Sequence, residues 1–87
     1  MSHLPIVRET LFAVVRSQLV TGLAFAHRAA GMRSNGEAAA AEEQARLARS
    51  VYESAVKLRE TLQFDEDQAF EIDRGLERLE QALGIGR

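Results

Sequence analysis

The side chains with chemistry to offer in this 87-residue sequence are two histidines, His3 and His27, one tyrosine, Tyr52, and serines at positions 2, 17, 34, 50 and 54. A nucleophilic serine needs a base within hydrogen-bond reach and a third group to orient that base, and no serine here has an obvious base beside it. Cysteine is absent, so disulfides and thiolate metal sites are impossible and nothing implies an oxidising compartment. Neither H-E-x-x-H nor E-x-x-H spacing occurs, which excludes ferritin-like di-iron chemistry. Asp65, Glu66 and Asp67 have the charge of a calcium loop but lack its glycine and distal bidentate glutamate. Glycine-rich phosphate loops are missing too. The expectation is a chain without catalytic residues, cofactor or metal, and not an enzyme.

The elements that position these groups read as helices. Apolar-polar alternation is nowhere sustained, and alanine, leucine, glutamate and arginine dominate. Pro5 suits a first helical turn, where its missing N–H costs nothing. From there Val7, Leu11, Val15, Leu19, Ala26 and Ala30 recur at three-to-four spacing, a core face that widens to Phe12, Leu23 and Ala29. Glu9, Arg16, Thr21 and Arg28 fall opposite, and Val20 sits near that polar side. Asn35 and Gly36 readily take the left-handed conformation that ends a helix. The first helix therefore spans about 5–35, with Gly31 inside its last turns; a stop at Gly31 itself is the alternative.

The second helix spans about 37–62 without proline or glycine to interrupt it. Its apolar face has two rows, Ala40, Leu47, Val51, Ala55, Leu58 and Leu62 beside Ala41, Ala45, Ala48, Tyr52 and Val56. So wide a stripe predicts contact with two neighbours, and the alanines permit close helix approach. Glu42 with Arg46 and Glu53 with Lys57 are i,i+4 pairs in the favourable orientation. The third helix, about 65–83, starts at a capping box of Asp65 and Gln68 and stops at Gly84 and Gly86. Ala69, Ile72, Leu76, Leu79 and Leu83 form its narrow seam at 3,4,3,4 spacing.

Short connections between long helices make neighbours antiparallel. The expected fold is all-α, a single domain over residues 1–87 built as an up-down-up antiparallel three-helix bundle, with the second helix against both others. The seam of the third helix is too thin to close a large core alone, which leaves a groove beside it or a second subunit. Phe70 lies about 140° or more from the centre of that seam; it either folds over the bundle end near Leu62 and Phe64 or belongs to a partner surface. The candidate partner surface comprises Phe70, Ile72, Leu76, Leu79 and Leu83 with Tyr52 and Val56 of the second helix.

Two resemblances bear on function. Ala26, His27 and Gly31 resemble the motif of histidine-phosphotransfer domains, an Ala-His followed four residues later by glycine. Ala30 and Met32 depart from it, and those domains are longer four-helix bundles; phosphotransfer through His27 is the alternative function. The stretch from Gly22 to Ala48 resembles the helix-turn-helix of tetratricopeptide repeats and the similar hairpin of microtubule-interacting-and-trafficking (MIT) domains. Phe25, Ala29, Gly36, Ala41 and Ala48 fall at the aromatic, small, turn and two alanine positions, whereas Ala45 replaces a large aromatic and Glu53 a proline. Only one such unit exists, and solenoids need about three. An MIT-like module is nearer in size, and that resemblance implies a groove between helices that receives a partner's helical segment.

Charge is uneven: residues 1–36 carry four arginines against one acid, and residues 37–87 carry seven basic and twelve acidic groups. Arg8, Arg16, Arg28 and Arg33 are dispersed with no aromatic platform among them, so nucleic acid is not an expected partner. The longest stretch without a charge or histidine, "SQLVTGLAFA", is far short of the roughly 20 residues that span a bilayer. Charges also interrupt the N-terminal apolar residues, unlike a signal peptide. No membrane association is expected, and a cytoplasmic location is the default. The function expected is a small helical module for protein–protein contact, with a protein partner or a second copy, a dimer first.

Overall fold

The computed structural model describes residues 3–85. Three helices, α1 (His3–Ser34), α2 (Ala38–Thr61) and α3 (Glu66–Leu83), pack against one another as an up-down bundle. Gly86, expected to help end α3, lies outside the described residues.

The helix ends follow from local chemistry. Gly36 takes φ +79°, and this left-handed residue lets the Glu37 N–H donate to the Met32 carbonyl at 2.9 Å and the Gly36 N–H to the Arg33 carbonyl at 3.2 Å. These two bonds satisfy carbonyls that have no partner further along the helix. Gly84, at φ +73°, closes α3 the same way, with the Ile85 N–H donating to the Glu80 carbonyl at 2.9 Å. At the start of α3 the Asp65 carboxylate accepts from the Gln68 N–H at 2.8 Å, and the Gln68 side chain accepts from the Asp65 N–H at 3.2 Å. This is the reciprocal capping box expected of that pair. Gly31 does not stop α1, which runs through it.

Val15, Leu19, Ala26, Ala48, Tyr52, Ala55, Ile72, Leu76 and Leu79 form the buried cluster, to which all three helices contribute. Phe12 and Phe64 close one end of it, edge to face with ring centroids 6.4 Å apart. Every pair of helices touches, but α1, not α2, makes the larger contact with each of the others. α1 is the longest helix, and its apolar residues surround much of its circumference instead of forming the single stripe expected. Val7 is 49% exposed and Ala30 is exposed, although the spacing places both on the core face; Val14 is exposed too. On α2 the inner row is Ala41, Ala45, Ala48, Tyr52 and Ala55, while Ala40 and Leu47 of the other row face outward.

Two glycines inside helices are packing residues. A Cβ on Gly75 would lie 2.7 Å from Leu19 Cδ1, and one on Gly22 would lie 2.9 Å from Leu79 Cδ2 and 3.1 Å from Val51 Cγ1. Leu19 of α1 thus rests over Gly75 of α3, and Leu79 of α3 over Gly22 of α1. This reciprocal fit draws two helices together where the narrow seam of α3 could not close the core alone. Gly31 has nothing within 4 Å of such a Cβ, so close approach is not its role.

Candidate interaction surface

α3 is anchored on both sides by polar contacts. Toward α2, Arg59 donates through Nε to Asp73 Oδ1 at 2.9 Å and through a terminal nitrogen to Oδ2 at 3.3 Å; the Tyr52 hydroxyl donates to Glu80 Oε2 at 2.6 Å. Toward α1, Arg16 Nε lies 3.0 Å from Glu71 Oε2. The exposed ion pairs Arg59–Asp73 and Arg16–Glu71 contribute about 0–1 kcal/mol each, whereas burying a Leu or Ile side chain contributes about 1.5–3 kcal/mol. Apolar packing therefore holds α3 in place, and the ion pairs add little to it. On α2, Glu42 pairs with Arg49 and Arg46 with Glu43, not Glu42 with Arg46 as expected; successive acids offer Arg46 a partner three residues back as well as four.

With α3 so oriented, an open groove of about 600 Å³ runs between α1 and α3. Its bed is Leu19, Leu23 and Gly75, and its α1 wall is Arg16 and Val20. Its α3 wall is Asp67, Phe70, Glu71, Arg74 and Arg78. Val20 and Phe70, at 70% and 63%, are the most exposed large apolar side chains among the described residues, and both line this groove. Phe70 does not fold over the bundle end; Phe12 takes the place beside Phe64. The Arg74 guanidinium lies 5.7 Å from the Phe70 ring centroid, a cation–π contact that covers one ring face and leaves the rest open.

The other expected surface residues divide by burial. Ile72, Leu76, Leu79 and Tyr52 are buried, so the α3 seam is the core of the bundle and not a surface. Narrow as it is, this seam closes a core because two glycines, Gly22 and Gly75, bring α1 close to it. Leu83 and Val56 are half-buried at the cluster's edge, Val56 beside a second, shallower depression with Glu53, Lys57 and Glu60. The residues missed are Val20 and the arginines 16, 74 and 78. The spacing held the signal for Val20, an apolar side chain on the polar side of α1.

His27 is exposed on α1 and has no hydrogen-bond or ion-pair partner among the described residues. Its neighbour Arg28 reaches away, with its guanidinium 5.7 Å from the Phe25 ring centroid and 3.5 Å from Gln44 Oε1. Among the described residues no three His, Asp or Glu side chains are placed to hold a metal ion, and no helix is long and apolar enough to cross a membrane. No family model, curated protein or solved structure matches this chain.

Proposed function

We propose that this chain is a non-enzymatic helical module that works by protein–protein contact, and that the groove between α1 and α3 is its contact surface. One observation carries the reading: the two most exposed large apolar side chains, far apart in sequence, line one groove on either side of a mixed-charge stripe of α3. Exposed apolar anchors beside charges that a partner can match favour protein contact. A groove between two helices suits an amphipathic helix laid along it. The likeness of the α1–α2 hairpin to MIT-type modules supports the same mode of binding.

The test places a photo-reactive amino acid at Val20 or Phe70 in cells, with Ser50 on the exposed side of α2 as control. The expected result is a cross-linked adduct of defined mass from the two groove positions and none from Ser50. Equal labelling from all three positions, or from none, removes the groove as a contact site. A second outcome separates the competing chemistry: phosphoryl transfer from a phosphorylated response regulator to the wild type but not to a His27→Gln variant would replace this reading with phosphotransfer.

A further inference from the structure

The proposed contact surface carries a charge pattern that specifies its own occupant. Along the outer side of α3 the residues Asp67, Glu71, Arg74 and Arg78 are spaced 4,3,4 and are all exposed. That spacing places them on one stripe of the helix. The stripe is acidic toward the start of α3 and basic toward its end, so its charges reverse about a point between residues 72 and 73. Laid antiparallel across a two-fold axis at that point, two copies set Asp67 opposite Arg78 of the partner subunit and Glu71 opposite Arg74 of the partner subunit, each pair occurring twice. A parallel arrangement in register sets like charges opposite one another, which is unfavourable.

The apolar residues agree with the same axis. Phe70 and Phe70 of the partner subunit fall on one side of the stripe with their positions about 7.5 Å apart along the helices, five residues at 1.5 Å each, within reach of ring-to-ring contact. On the other side lie Gly75 and the α1 wall with Val20 and Leu23, which the same axis sets beside α1 of the partner subunit. Glu71 already accepts from Arg16 through Oε2, and its Oε1 is available to an arginine across the axis. A two-fold contact of this kind is isologous, the same patch serving both subunits.

We infer that the α1/α3 groove binds a second copy of this chain, with the two α3 helices antiparallel and in the register that pairs residues 67 with 78 and 71 with 74. The inference rests on the groove being a contact surface and adds the identity of what fills it. Two charge-swapped variants of equal net charge test the register. In Asp67→Arg/Arg78→Asp the swapped groups still face one another across the axis. In Asp67→Arg/Arg74→Asp the guanidinium introduced at position 67 meets Arg78 of the partner subunit, and the carboxylate introduced at position 74 meets Glu71 of the partner subunit, so like charges face one another in both pairs.

Sedimentation equilibrium on the wild type and both variants, each checked for helical content by circular dichroism, reads the outcome. The expected result is a wild-type dimer, a dimer of similar affinity for the first variant, and at least tenfold weaker association for the second. Wild-type association should also weaken with rising salt, since exposed charge pairs are screened over about 8–10 Å at physiological ionic strength. A wild type that stays monomeric to about 1 mM, a concentration corresponding to only about 4 kcal/mol of binding, overturns the inference. So does a dimer to which both variants are indifferent. In either case cross-linking of Val20 and Phe70 to a different protein keeps the contact reading, while loss of groove-specific adducts removes that reading separately.

Discussion

The molecule has two ends built on different physical terms. In one, residues of all three helices share a cluster that includes Val15, Leu19, Ile72, Leu76 and Leu79. At the other, α1 and α2 continue beyond α3 as a two-helix hairpin. At about 1.5 Å per residue, the 32 residues of α1 run to about 48 Å and the 18 of α3 to about 27 Å. Buried in the hairpin end are Ala29, Ala41 and Ala45, which stand apart from the main cluster. Large side chains fill the space between the three helices, whereas in the hairpin the methyl groups of these alanines let two helices lie close together. The longest extent of the molecule, 54 Å, follows the length of α1. Stability is therefore expected to concentrate in the three-helix end, with the hairpin tip opening more readily.

The largest test removes a side chain from the three-helix end. Leu79 is fully buried and rests over Gly22, so Leu79→Ala leaves a cavity and is expected to cost about 2–5 kcal/mol. In urea unfolding this appears as a lower midpoint. Native-state hydrogen exchange sharpens the comparison: amides of α3 and of residues 12–26 should lose protection, while amides of the hairpin tip, which exchange by local opening, should change little. Equal loss in both regions would show one cooperative unit and dissolve the distinction between the two ends.

A smaller effect tests how the three-helix end closes. Gly22→Ala inserts a methyl group against Leu79, which is fully buried, and Val51 at the same time. Overpacking of this kind costs about 1–3 kcal/mol, offset by up to about 1 kcal/mol of improved helix propensity. The expected net result is a loss of stability, read as a fall in Tm. A gain in Tm would mean that α1 and α3 can move apart freely, contrary to the reciprocal fit of Leu19 over Gly75 and Leu79 over Gly22.

Helix existence and helix ends are legible in the sequence because they depend on neighbours in the chain. Asp65 with Gln68, and Gly36 and Gly84 at the ends of helical stretches, act within one turn, and each behaves as its local chemistry requires. Which side of α1 is buried is less legible, because Val7, Val14 and Val20 put apolar surface on its outward sides and only the partner helices decide. Of the proposed contact surface, Phe70 was legible, and Val20 left a trace as an apolar side chain on the polar side of α1, whereas the arginines were not, since a groove exists only once α1 and α3 are side by side. The packing glycines did leave a local trace. Gly22 has Leu19 three residues before it and Ala26 four after, and Gly75 has Ile72 and Leu79 at the same offsets, so both glycines lie within an apolar stripe.

Gly31 lacks that trace, with Arg28 three residues before it and Asn35 four after, and it provides the smallest prediction. It is helical, exposed and in the overhanging hairpin, with open space where a Cβ would stand. Nothing has to move to admit a methyl group, and the glycine's excess backbone freedom in the unfolded chain is the main term left. Gly31→Ala should therefore stabilise by up to about 1 kcal/mol, opposite in sign to the identical substitution at Gly22. For a domain of this size 1 kcal/mol corresponds to about 4–8 °C in Tm, if the hairpin and the three-helix end unfold together. Should the tip open independently, Tm stays nearly constant and the gain appears only as slower amide exchange between residues 27 and 45. The pair of measurements thus tells whether the alanine-packed hairpin shares the cooperative transition of the bundle.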